Sequence, residues 1–199
     1  MNFFHIETMG DPNDESLCFL HDVVEGTARD SARYSLGKPL LSVYPKEPKL
    51  FMSPESRGMK LADLLGNTEG MLVVSKALRE TIEKHCQGVE IEYLPFTLYD
   101  HRKRVHSQDY CIVNPIGSLD CLDEAASGVQ YGSEGSVIDI GEIVLDRNKV
   151  KDAPQLFRVK QRPSQYILGV KLAREIYDRD FTNVLWTELR FSDSPRDVT

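Results

Sequence analysis

Asp120, Asp123 and Glu124 crowd into the run Leu119-Asp120-Cys121-Leu122-Asp123-Glu124, shortly after Asn114-Pro115. Carboxylates this close can relay protons or hold a divalent cation. With a histidine as a third partner, Asp120 and Asp123 would suit a metal-dependent hydrolase. The plainer role is that of a strand end entering a short turn, where acids accept hydrogen bonds from free backbone donors. The structural or partner-binding role is the favoured one. Tyr131 and Glu134 follow in the glycine-bearing stretch Gly128-Val129-Gln130-Tyr131-Gly132-Ser133-Glu134-Gly135. An aromatic beside carboxylates near a flexible loop is a composition suited to a protein-binding surface. Asp120, Asp123, Glu124, Tyr131 and Glu134 are therefore the candidate contact residues.

Other catalytic devices fail on their spacing. Ser75 follows an apolar run, as a nucleophile elbow does, but Val74-Ser75-Lys76 lacks the flanking glycines. Ser75 reads instead as the cap of a helix. His101 and His106 flank a basic turn with no third ligand in sequence, which leaves a zinc site incomplete. The glycines of 128–135 are not followed by the Gly-Lys-Ser/Thr that cradles phosphate. Cys18, Cys86, Cys111 and Cys121 form no Cys-x-x-Cys pair and are expected as free, buried thiols. The residues imply neither a metal nor another cofactor.

The elements that must position these residues are unevenly legible. Phe3 to Ile6 predicts a short strand. Cys18 to Val24 is a strand or a short helix, and periodicity does not decide. Gly26 to Ser42 reads as irregular. Val43 to Pro54, with Pro45, Pro48 and Pro54, reads as a loop or edge segment. From Met71 the pattern sharpens. An apolar run reaches Ser75, then Leu78, Ile82 and Cys86 recur at helical spacing, and Gly88 stops the helix. Val89, Ile91 and Tyr93 alternate with Glu90 and Glu92, predicting a strand with one wet face and a limit at Pro95. Asp100-His101-Arg102-Lys103-Arg104 is a charged hairpin tip between Phe96–Tyr99 and Tyr110–Val113, and its ordinary role is a solvated turn. Ser127 to Ser136 reads as a flexible loop and Val137 to Leu145 as a strand with a possible bulge at Gly141. Residues 192–199 read as a frayed tail.

Met71 to Phe96 aligns without gaps on Tyr166 to Phe191. Lys76, Arg79 and Glu80 fall on Lys171, Arg174 and Glu175, and Val89, Leu94 and Phe96 fall on Val184, Leu189 and Phe191. Asn183 takes the place of Gly88 and is the next-best residue for a left-handed helix end. Gly169-Val170 replaces Val74-Ser75, so the second helix loses its serine cap. The echo predicts two similar helix–strand units within one domain rather than a solenoid. Trp186, the only tryptophan, alternates with Val184 and Glu188 and is expected in the core.

At 199 residues the chain suits one α+β domain, 1–199, with mainly antiparallel sheet, a few helices and an N-terminal part at 1–55. No apolar run approaches a membrane span, and Met1-Asn2-Phe3-Phe4-His5 has no signal-peptide pattern, so a cytoplasmic location is expected. The formal charge of −7 argues against a general nucleic-acid binder and suits a basic partner.

The order of these motifs carries a resemblance. Val73-Val74-Ser75-Lys76-Ala77-Leu78, Gly88–Pro95, Tyr110–Asn114, Leu119–Asp123, Leu156–Lys160 and Val184–Leu189 resemble a family of bacterial immunity proteins found beside polymorphic toxins, with a myxobacterial type member. The first 50 residues add little to it. The resemblance implies an α+β protein without enzyme activity that binds a cognate toxin and blocks it by stoichiometric inhibition. The negative charge suits a toxin with a basic active site, as in a nuclease. The resemblance implies no catalytic residues. The alternatives are the hydrolase named above and a structural or adaptor subunit, which would self-associate or expose a large apolar patch.

Overall fold

The echo between the middle and the tail becomes two β-α-β units. The computed structural model describes residues 2–193. In chain order the elements are β1 (Phe3–Ile6), β2 (Phe19–His21), α1 (Ser31–Leu36), β3 (Lys49–Met52), β4 (Gly66–Asn67), β5 (Leu72–Ser75), α2 (Lys76–His85) and β6 (Ile91–Tyr99). They continue as β7 (Val105–Pro115), β8 (Gln130–Tyr131), β9 (Val137–Asp139), β10 (Leu156–Val159), β11 (Arg162–Gly169), α3 (Val170–Asp178) and β12 (Trp186–Glu188). A six-stranded sheet runs β4-β2-β3-β6-β7-β5, a four-stranded sheet runs β10-β11-β1-β12, and β8 and β9 form a small ribbon. The fold class is α+β.

In the first unit β5 and β6 both pair antiparallel with β7, which lies between them. In the second, β11 and β12 both pair antiparallel with β1. Each helix thus links two parallel strands split by a third, the same arrangement in both sheets. The two helices share one apolar core: Leu78 and Ile82 of α2 and Leu172 and Ile176 of α3 cluster with Leu72, Val113, Tyr166 and Leu168 from both sheets. A second core of Leu20, Leu50, Leu94 and Leu98 belongs to the large sheet, and a third, around Phe3, Phe157 and Ile167, to the small one.

The helix starts show how one pattern is built twice with different parts. The Ser75 hydroxyl accepts the Leu78 N–H at 3.3 Å, as the cap reading requires. At α3 the Gln155 side chain supplies the missing acceptor, with Oε1 taking the N–H groups of Lys171 (3.0 Å) and Leu172 (3.3 Å). A Cβ at residue 169 would lie 2.6 Å from that oxygen, so glycine there makes room for the borrowed cap. After the helices, Gly88 and Asn183 both hold positive φ, +82° and +59°. The Asn183 amide also accepts the Asp11 N–H at 2.7 Å and donates to the Leu64 carbonyl at 2.8 Å.

Several segments differ from expectation, each for a local reason. Ser31–Leu36, within the stretch read as irregular, is helical and ends at Gly37 with φ +62°. β3 is no edge strand: it lies between β2 and β6, and its prolines fall outside the Lys49–Met52 ladder. Pro95 does not stop β6. The Thr97 N–H points to β3 and meets the Pro48 carbonyl at 2.8 Å. Two residues earlier, Pro95 faces the same side, where β3 has not begun, and no ladder bond is lost. β8 forms within the stretch read as a loop, and the strand expected over Val137 to Leu145 begins as β9 but stops at Asp139. Of the tail expected to fray, the Ser192 N–H meets the Leu145 carbonyl and Asp193 pairs with Arg147; residues 194–199 lie outside the described residues.

Glu92 overturns the wet-face reading of β6. It is 9% exposed, and its carboxylate accepts the N–H groups of Leu40 and Leu41 and the Asn114 amide. The other face of Asn114 accepts from Arg158, which is 1% exposed and also donates to the carbonyls of Pro115, Ser35, Pro163 and Tyr34 and to the Tyr166 hydroxyl. One arginine thereby ties α1 to both sheets. All four cysteines are free and buried; burial pushes the Cys86 thiol up to about 11 and Cys18, Cys111 and Cys121 to about 12. Among the described residues no helix is long and apolar enough to cross a membrane.

Candidate functional site

The acidic run starts beside β10, the edge strand of the small sheet. Leu119 bridges Val159 and Leu122 bridges Leu145, and Cys121 and Leu122 enter the core. Asp120 and Glu124 remain half-buried and are joined by their neighbours. Asp120 Oδ1 accepts from Lys149 Nζ at 2.9 Å, with Lys160 at 3.9 Å. Glu124 Oε1 accepts the Tyr131 hydroxyl at 2.6 Å and Gln161 Nε2 at 3.0 Å, and the same amide lies 3.4 Å from Asp120. Asp123 turns onto its own backbone and accepts the Ala126 N–H at 3.0 Å. Glu134 is exposed in the β8–β9 turn, away from this network.

The titration of these groups follows their partners. The Lys149 hydrogen bond, with help from Gln161, holds the Asp120 carboxyl below the usual range, and Asp120 in turn raises Lys149. Tyr131 and then Gln161 lower Glu124, while the Ala126 N–H lowers Asp123. Carboxylates stabilised in this way are poor proton acceptors near neutral pH. Among the described residues no three His, Cys, Asp or Glu side chains converge as a metal cage.

A wide cleft lies elsewhere, at the basic hairpin tip. It measures about 810 Å³ and is walled by residues 100–104 on one side and by the segment leaving β3 on the other. That segment is held across the sheet: the Met59 carbonyl accepts from His106 Nε2 at 3.3 Å and the Ala62 carbonyl from the Tyr110 hydroxyl at 2.8 Å. Phe51 and Met59 supply apolar surface, and the Phe51 ring sits 5.4 Å from that of Tyr99. Asp100 shapes the tip. It accepts the N–H groups of Arg102 and Arg104 and a two-pronged bond from the Arg104 guanidinium. These bonds, the Arg104 N–H foremost, lower its pKa to about 2. Sequence spacing found the basic tip but not its opposite wall. Arg57 and Met59 sit in a proline-bearing segment, and nothing local in that segment signals which strand it will cross.

Comparison with known proteins points to immunity proteins. The match to the model of the Immunity protein family (Imm11) spans residues 11–190, and the chain belongs to that family. The match takes in the N-terminal region to which the motif resemblance added little. No curated protein matches this sequence.

Proposed function

We propose that this protein binds a cognate toxin and neutralises it by stoichiometric occlusion, without turnover. The observation that carries this reading is the Imm11 match over residues 11–190. The state of the acidic run supports it. Asp120, Glu124 and Asp123 are engaged by Lys149, Tyr131, Gln161 and a backbone N–H, and carboxylates held in this way are poor proton acceptors at neutral pH. The toxin suited to a chain of formal charge −7 is a basic one, such as a nuclease, because opposite fields steer encounter and can lift association toward ~10^8 M⁻¹s⁻¹. The action is then in the cytoplasm of the cell that must survive.

The test is co-expression with the product of the adjacent gene. The expected result is that the neighbour is toxic alone, harmless with this chain, and purifies with it as a one-to-one complex. A harmless neighbour that does not bind defeats the inhibitor reading.

A further inference from the structure

The cleft at the hairpin tip has the opposite charge to the molecule that bears it. Arg57, Arg102, Lys103 and Arg104 line it against the single carboxylate of Asp100, on a chain of formal charge −7. Asp100 is already matched by Arg104. Arg57, Arg102 and Lys103 are exposed, and no carboxylate among the described residues lies within ion-pair distance of their side chains. Elsewhere many exposed cations are paired, as Lys149 is with Asp120, Arg147 with Asp193 and Arg174 with Asp178; those without an ion pair among the described residues, such as Lys46, Lys76 and Lys151, do not line this cleft. Unpaired cations around an apolar floor of Phe51 and Met59 form a built recess, whereas a plain solvated turn would have no such floor.

We propose that this recess receives a short acidic segment of the toxin, one that carries an apolar side chain between carboxylates. The proposal rests on the inhibitor reading above and names its surface. Phe51 and Met59 offer an apolar seat, with methionine able to adapt its shape, while the three free cations meet carboxylates on the rim. The cleft volume falls within the ~300–1,000 Å³ of sites that take drug-sized ligands, so it suits a segment of a few residues and not a whole protein face. A nucleic acid fits less well. A duplex carries one charge per ~1.7 Å and would run from the recess onto an acidic surface. The overall negative field and the recess then have separate tasks: the field draws in a basic toxin, and the recess fixes its register through one segment of opposite sign.

The test compares the wild-type chain with the triple variant Arg57→Glu, Arg102→Glu, Lys103→Glu and with a control at an exposed cation far along the chain, Lys151→Glu, each titrated with the toxin from the adjacent gene in catalytically disarmed form. The triple variant should bind on the order of 100-fold more weakly, and Lys151→Glu should stay close to wild type. Lysine substitutions in one acidic segment of the toxin should restore affinity for the triple variant. If wild type binds and the triple variant binds as tightly, the recess assignment is overturned while the inhibitor reading stands. If wild type does not bind, both fall. Tighter binding of a 20-base oligonucleotide to wild type than to the triple variant overturns the peptide assignment in favour of a nucleic acid. Circular dichroism of both variants checks that the fold is kept.

Discussion

Two regions of this molecule gather arginine, and they use it in opposite ways. Arg158 is buried at the junction of α1 with both sheets and directs its donors at four backbone carbonyls, Asn114 Oδ1 and the Tyr166 hydroxyl, with the Tyr166 ring 4.2 Å from its guanidinium. None of those partners is a carboxylate. Its nearest negative charge in the network is Glu92, reached through the Asn114 amide. At the hairpin tip, Arg57, Arg102 and Lys103 are in water beside Phe51 and Met59. The buried guanidinium organises the fold and has nothing left to offer a partner. The exposed cations do little for the fold and remain free to recognise one.

The comparison is broken most directly at Arg158. Arg158→Leu removes the cation and leaves buried carbonyls, together with Asn114 Oδ1, without donors. The expected loss is about 3–5 kcal/mol in urea unfolding, because several buried acceptors lose their donor at roughly 1–3 kcal/mol each. A loss under about 1 kcal/mol would mean that the carbonyls find other donors and that Arg158 does not hold the sheets together. Arg158→Lys sharpens the point. Lysine keeps the charge but cannot reproduce a planar fork of five N–H donors, so roughly 2 kcal/mol should still be lost. Full stability in the lysine variant would show that charge alone suffices.

What could be read from the sequence divides along the same line. Helix caps and stops were legible because they depend on neighbours in the chain: Ser75, Gly88 and Asn183 all act where their types predict. The repeated β-α-β unit was legible because each copy keeps its own apolar run, helix and strand. Arg158 was not, because Leu156-Phe157-Arg158-Val159-Lys160 reads as an ordinary strand and its partners lie up to 124 residues away. Glu92 looked solvent-facing for the same reason, since its partners Leu40 and Leu41 come from a stretch with little pattern. The acidic run was visible, but the lysine and glutamine that engage it were not predictable from local spacing. The basic tip was visible as a turn, and only the crossing of 53–62 over β7 makes it one wall of a cleft.

Asp100 stands between the two regimes, an acid whose only job in the structure is to shape the tip. Its pKa is lowered to about 2, from an unfolded value near ~3.9. The sign follows directly: its contribution is fully present above about pH 4 and is lost as pH falls through about 2. Between those limits the tip should stay closed. Carbon-detected NMR of the Asp100 carboxyl, with the amide shifts of Arg102 and Arg104, should show a shared midpoint near 2. A midpoint near 4 would mean that the bonds Asp100 accepts from the Arg104 N–H, the Arg104 guanidinium and the Arg102 N–H are absent in solution.

The smallest expected effect is also the most discriminating. Arg57→Glu, Arg102→Glu and Lys103→Glu together should leave unfolding free energy within about 0.5 kcal/mol of wild type, because exposed groups without partners contribute little to the native state. Reversal relieves repulsion among the cations, and the new acids' repulsion with Asp100 offsets that gain. Thermal and urea unfolding measure it. A large loss would show that the tip cations hold the fold in the manner of Arg158, and the division between a structural and a recognition arginine would collapse. Unchanged stability beside a large fall in toxin affinity would place the two roles in separate parts of one chain.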